Sequence, residues 1–529
     1  MKKGVFVVLF LLILTGAMIF RTADLDNRPM HHDEANQALK FKDLLEEGRY
    51  VYDRTDHHGP TLYYLSLPLV LVRSGKSFTA LTETTLRLLP ALLGAGLFLL
   101  LLIPVRDTGR LPVLLAGFLL AISPVMVFFS RFYIQETLLL FFGAGLLTAV
   151  WRYVRAPSMG WALLAGLFVG LAYATKETSI ILFFALAVAS LATYFSPFRI
   201  RSRLFLKNPN WKKHLPLAAG AALLTVVVLY TSFFTHWRGP LDSLLSFPSY
   251  LSRAEGAGMH VQPWYYYIRM LIRIRFEGGP VWSEGLILGL ALIGIISLFV
   301  KNRSVSPTRL GFFRVVLVYT LISTVIFSLI PYKTPWNCLP FFFGFILLSG
   351  QGGAFLIERP KKRWMKGIPL ILILVLGYNL GRQSYRANFV YHADTRNPYV
   401  YAQTSTDFLN LVQRIRDLAA LHAQNKQMLI KVVTGPYETW PLPWYLRDFE
   451  RIGYWETLAK AGRLDEADVV ITDIKNTDIL PASFLESVQS EYYGLRPEVL
   501  LAVHIRKDLW ETYIRTRINV AKASLEGHD

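Results

Sequence analysis

The stretch RPMHHDEANQ, Arg28 to Gln37, sets two histidines and two adjacent acids just after an apolar run long enough to cross a bilayer. A carboxylate such as Asp33 or Glu34 can take a proton from a hydroxyl nucleophile, and histidines can bind phosphate or a metal. The same kinds of side chain recur at the ends of later apolar runs. They are His57 and His58 in DRTDHHGP, Arg131 and Glu136 in SRFYIQE, Lys176 in ATKE, Trp264 in PWYYY, and Tyr332 and Lys333 in PYKTPWN. Charge at a membrane boundary is costly unless it is paired or lines a wet cavity, which makes these groups functional candidates.

Each also has a plainer reading. Asp33 and Glu34 open a helix, DEANQALKFKDLLEEG, whose first turn favours acids through the helix dipole. His31 and His32 lack the spacing of a metal-binding pair, so a divalent metal is neither required nor excluded. Arg131 reads as an interfacial anchor and Glu136 as a helix-start acid, Lys176 and Glu177 as a loop ion pair, Lys333 as a snorkelling cation, and WYYY as part of an aromatic belt. The chemical reading gains from their falling together on one side of the membrane.

That side follows from the elements that carry them. The chain has 529 residues, 53% of them hydrophobic and 14% aromatic, with a mean hydropathy of +0.36. Apolar runs near 4–20, 88–105, 112–129, 134–150, 159–174, 178–195, 215–235, 283–300, 311–330, 337–357 and 367–380 predict about eleven membrane spans. The first is expected to be a retained signal anchor. The short run 60–72 is expected as a juxtamembrane helix. With Met1 to Lys3 in the cytoplasm, the basic loops 106–111, 151–158, 196–214, 301–310 and 358–366 all fall inside. The acid-, histidine- and aromatic-bearing loops 21–87, 130–136, 174–177, 236–282 and 331–337 then fall outside, with the tail. The net charge of +19 belongs mostly to the inner loops, and without a basic domain or reader motif it does not point to nucleic acid. The single cysteine, Cys338, excludes an intramolecular disulfide and a multi-cysteine metal site.

The tail differs in character. TSTDFLNLVQRIRDLAALHAQ has helical apolar spacing, MLIKVVTG and ADVVITD read as buried parallel strands, and LLAVHIR reads as a third strand. The expected fold is therefore a polytopic all-α membrane domain, 1–382, with juxtamembrane helices, followed by a small extracytoplasmic α/β domain, 383–529.

The ordered pieces HHDEA, GRYVYDRTDHHGPTLYYLSLP, LRLLPALLGAGL, SRFYIQETLLLFF, GLAYATKETS and PYKTPWNCLPF resemble the glycosyltransferase-C superfamily over about 30–380. QPWYYYIR, YKTPWN and GPYETWPLPWYLR resemble its flippase-activity-associated subfamily along the whole chain. The turn reads Thr-Lys-Glu where many relatives have Thr-Lys-Gly. The resemblance implies an inverting transferase in the cytoplasmic membrane, moving a sugar from a polyprenyl-phosphate carrier to a hydroxyl of a glycan, lipid or protein on the outer face. It implies Asp33 as the base, Glu34 as second choice, and Glu136 as the residue that orients the acceptor. The donor phosphate would meet Arg131, Lys333 and Lys176, and His57 and His58 would bind phosphate or acceptor. Trp264 would stack on a sugar, with Tyr332 beside Lys333 among the binding residues. The alternative is a flippase partner or transporter of lipid-linked saccharides without transferase chemistry. Transporters place charge near the midplane on broken helices within repeats, whereas here the charges sit at span ends and no repeat is evident.

Overall fold

The computed structural model describes residues 1–55, 58–195, 210–248, 260–300 and 305–526. Among these, seven helices are long and apolar enough to cross a membrane: Lys3–Thr22, Glu83–Leu102, Glu136–Arg155, Trp211–Tyr230, Pro307–Leu329, Pro335–Glu358 and Arg363–Val390. The shorter apolar helices Met159–Tyr173, Ser179–Thr193 and Gly285–Ser297 account for three more of the expected runs. The run 112–129, expected as one span, is instead two helices, Arg110–Ile122 and Pro124–Ser130, bent by 64°. Pro124 supplies no N–H and its ring forbids continuation of the preceding turn. Ser123 and the buried Glu284 take over at the break. Glu284 Oε1 accepts from Ser123 Oγ at 2.9 Å and from the Val125 N–H at 3.0 Å, an acid at a helix start, where the dipole favours it.

Spans pack through small residues. A Cβ on Gly352 would lie 1.9 Å from the Leu290 carbonyl oxygen, so only glycine lets helices Gly285–Ser297 and Leu339–Glu358 approach this closely. One end of the bundle carries basic-loop contacts: Asp107 accepts from Trp151 Nε1 at 3.0 Å and faces Arg152 and Arg155, while Arg309 pairs with Glu358 at 3.0 Å. The opposite end gathers the polar loops. There helix His32–Glu46 and the expected juxtamembrane helix, seen as Thr61–Ser74, lie over the spans.

The tail contains helix Asp407–Leu421 and five strands: β1 (Ile430–Val433), β2 (Ile452–Trp455), β3 (Val469–Asp473), β4 (Val488–Arg496) and β5 (Val499–Arg506). Their order is β2-β1-β3-β5-β4. β1 and β3 are parallel and fully buried, as MLIKVVTG and ADVVITD suggested, whereas β5 runs antiparallel to β3 and β4. β2 and β4 were not anticipated. Both are edge strands with mostly half-buried or exposed residues, which weakens the apolar signal. The boundary drawn at 382 falls inside a continuous helix, because the last span runs to Tyr385 and continues as a π turn to Val390.

The tail is fastened to the first outer loop. Tyr445 Oη accepts from the Met30 N–H at 2.9 Å, Gln403 Nε2 donates to the Pro29 carbonyl at 2.8 Å, and Thr404 Oγ1 donates to the Met30 carbonyl at 2.7 Å. Trp444 Nε1 donates to Glu83 at 2.7 Å, and Arg447, lying 3.8 Å above the Trp444 ring, donates to the Leu81 carbonyl at 2.6 Å.

Candidate active site

The helix carrying HHDEA starts with a reciprocal cap. His31 Nδ1 accepts the Asp33 N–H at 3.0 Å, and Glu34 Oε2 accepts the His31 N–H at 3.1 Å. His31 Nε2 lies 2.9 Å from the Tyr401 carbonyl. A carbonyl only accepts, so Nε2 carries the proton and the ring is neutral. Burial lowers the His31 pKa in the same direction, outweighing the pull of Asp33 and Glu34.

The two neighbouring acids have different surroundings. Glu34 is fully buried and held by both arms of Arg87, at 2.7 and 2.6 Å, with the Tyr133 N–H donating to it at 2.9 Å. Burial pushes its pKa up, but the Arg87 charge and hydrogen bonds, with Arg28 and Tyr133, bring it down to about 2. Arg87 also donates to the carbonyls of Leu25 at 2.7 Å and Arg28 at 2.8 Å, so the pair pins the first loop to the second long span. Asp33, by contrast, has a side chain 42% exposed. Burial acts to raise its pKa, yet His31, His32, His58 and Lys176 outweigh that and hold it below the usual aspartate value.

Lys176 forms a buried ion pair with Glu136, whose other oxygen, Oε2, has no partner among the described residues. His58 Nδ1 lies 2.7 Å from Glu177 Oε2. The strand of chain around His58 docks on the turn at Ala174: the Thr61 N–H donates to the Ala174 carbonyl at 3.2 Å, and Thr61 Oγ1 donates to Thr175 Oγ1 at 2.7 Å. A Cβ on Gly59 would lie 2.1 Å from the Ala174 carbonyl oxygen. Gly59→Ala is therefore expected to lift His58 from Glu177 and destabilise by about 1–3 kcal/mol. Faster proteolysis within 50–60 and a lower unfolding temperature would register it.

Other candidates are engaged elsewhere. Arg131 donates to the carbonyls of Phe20 at 3.0 Å, Ala23 at 2.6 Å and Asp24 at 2.8 Å, closing the C-terminal end of the first helix, and stacks 4.6 Å from Phe389. Lys333 is buried with its ammonium on the carbonyls of Gln262 and Ile330, and burial lowers its pKa. Tyr332 bridges Val261 and packs 4.8 Å from His260. Trp264 is 63% exposed against Tyr265. His57 lies outside the described residues. Among the described residues, no group of three His, Cys, Asp or Glu is placed to hold a metal ion.

Sequence reasoning missed several residues around Asp33. His260, 2.5 Å from Tyr401 Oη, and the half-buried Arg496 of β4 both feel the Asp33 charge. Tyr437 stacks beside His32 at 6.3 Å and Trp440 lies at 5.9 Å. Arg496 lies 463 positions from Asp33, on an edge strand that the apolar pattern does not reveal. Arg87 carried a usable signal, as a lone cation in the apolar run LRLLPALLGAGL.

The fold has counterparts among solved structures. ArnT from Cupriavidus metallidurans in the apo state matches 93% of this chain and 97% of its own, with a TM-score of 0.57 at 15% identity. At this identity the likeness is one of fold. Two further solved structures share this fold. The archaeal oligosaccharyltransferase AglB from Archaeoglobus fulgidus, in complex with an inhibitory peptide and a dolichol-phosphate, matches 90% of this chain and 70% of its own, with a TM-score of 0.56 at 12% identity. The S. cerevisiae protein O-mannosyltransferase Pmt1-Pmt2 complex bound to the sugar donor matches 78% and 92%, with a TM-score of 0.56 at 10% identity. A family model described as dolichyl-phosphate-mannose-protein mannosyltransferase matches residues 71–231. That segment holds Arg87, Arg131, Glu136 and Lys176. The comparison with curated proteins found no match.

Proposed function

We propose that this chain is a membrane glycosyltransferase that moves a sugar from a polyprenyl-phosphate carrier to an acceptor hydroxyl, with inversion, using Asp33 as general base. The observation that carries the reading is the contrast within one dipeptide. Glu34 is locked by Arg87, whereas Asp33 is partly open and ringed by His31, His32, His58 and Lys176. A carboxylate kept ionised in such a setting suits proton removal from a hydroxyl. The acceptor oxygen would bond to the anomeric carbon as that carbon's bond to the phosphate oxygen breaks. The acceptor proton goes to Asp33, and the electron pair leaves with the phosphate. That leaving group needs positive charge rather than an acid, and Lys176, whose charge reaches Asp33, would supply it with His58 as a hydrogen-bonding partner. Glu136, whose Oε2 has no partner among the described residues, suits a substrate hydroxyl. Arg131 and Lys333, engaged by backbone carbonyls, hold the loops in place.

Purified protein in lipid nanodiscs, given a panel of radiolabelled polyprenyl-phosphate sugars and a membrane extract as acceptor source, should release lipid phosphate and pass label to acceptor with at least one donor. Failure with every donor would defeat the transferase reading and favour the flippase partner. The basic loops support an outer-face site in the cytoplasmic membrane. A tag after Asp529 should then react in intact cells and one within 196–214 should not; both reacting on one side would overturn that orientation.

A further inference from the structure

We propose that the tail supplies the acceptor subsite, built from Tyr437, Glu438, Trp440 and Arg496, and that the acceptor is a saccharide. The inference rests on the transferase reading and names its second substrate. Two sets of residues meet near Asp33. Lys176 and His58 come from the spans and the docked first loop; Tyr437 comes from the loop after β1 and Arg496 from the end of β4. Arg496 donates to the Tyr437 carbonyl and the Tyr437 ring stacks 6.3 Å from His32, the residue before Asp33, which brings the tail loop to the proposed base.

This loop is fixed before any ligand arrives. The N–H groups of Glu438 and Thr439 both donate to the Gly435 carbonyl at 3.1 Å, the Gly435 N–H donates to Asp473 at 2.7 Å, and Thr434 and Thr439 hydroxyls meet at 2.8 Å. On that fixed loop Tyr437 is 66% exposed and stacks beside His32, which Trp440 also meets at 5.9 Å. The loop follows the carboxyl end of β1, the middle one of the three parallel strands β2-β1-β3, and open α/β sheets bind ligands at such ends. A rigid exposed ring beside a half-buried carboxylate and a guanidinium offers an apolar face for sugar C–H groups and bidentate partners for neighbouring hydroxyls.

The test uses the full chain in nanodiscs and two probe sets, short neutral oligosaccharides and short peptides bearing serine, threonine or asparagine, read by saturation-transfer NMR. Binding of at least one oligosaccharide is expected, weakened about tenfold or more by Tyr437→Ala and by Arg496→Gln, and kept by Tyr437→Trp, which preserves a stacking face. Tyr437 is exposed, so its truncation opens no core cavity. No oligosaccharide binding, oligosaccharide binding untouched by both weakening variants, or peptide binding that depends on Tyr437 would each overturn the proposal. Asp33→Asn separates the two levels. If it abolishes transfer while oligosaccharide binding stays at the wild-type level, base and subsite both stand. If it leaves transfer intact while Tyr437→Ala loses the saccharide, the base assignment falls and the subsite remains.

Discussion

Asp33→Asn is expected to cost a hundredfold or more in transfer, the loss typical of a removed general base, while folding and donor binding persist. An amide has the shape of the acid and accepts hydrogen bonds, but it cannot take the acceptor proton. The fold loses little by the change. Asp33 is partly exposed and sits in the first turn of its helix, a position worth about 0.3–1 kcal/mol for an acid. The His31 cap uses the backbone N–H of residue 33, which the substitution retains. The pH profile adds a second readout. His31, His32, His58 and Lys176 outweigh burial and lower the Asp33 pKa, so activity should persist on acidification to below an ordinary aspartate's value of about 3.9. An acid limb near that value or above it would point to another base. Near-normal transfer by Asp33→Asn would reduce HHDEA to a helix start.

The sequence disclosed the spans and the crowding of polar loops at one end because both rest on local signals, apolar length and charge at span ends. The break at Ser123–Pro124 was also written locally, but an apolar run on both sides concealed it. What stayed hidden were long-range pairings. Locally Glu34 differs from Asp33 only as the acid that closes the cap on the His31 N–H; its burial and pairing are made by Arg87, 53 positions away, and by the Tyr133 N–H. In the same way Arg131 looks like a phosphate ligand until its donors are seen on the carbonyls that end the first helix. Arg496 reaches the Asp33 neighbourhood from a strand whose edge position removed its apolar signature. Composition indicates which residues are expensive to place at a membrane surface, and the fold decides which of them are used up in holding it together.

Glu34→Gln is expected to fail by a different route, losing stability before chemistry. Removing one partner of a buried pair leaves the other charge uncompensated, at about 3–5 kcal/mol. The amide would also turn an N–H₂ toward the donors of Arg87. Glu34 is 0% exposed and its folded pKa is about 2, against 4.5 for an ordinary glutamate. A depressed carboxylate pKa stabilises the folded state above the ordinary value. That contribution, roughly 3 kcal/mol by linkage, is lost as the pH falls from about 4.5 toward 2. Wild-type protein should therefore lose thermal stability across that window, and Glu34→Gln should begin low and show less of the decline. Pairing Glu34→Leu with Arg87→Met removes both charges and should recover part of the loss. Recovery should stay incomplete, because Arg87 also holds the Leu25 and Arg28 carbonyls at 2.7 and 2.8 Å, and no methionine can. Full recovery in the double variant would mean that the ion pair alone matters and that the first loop holds its shape without those two bonds. A Glu34→Gln protein as stable as wild type but inactive in transfer would make Glu34 the base and move Asp33 to a supporting place.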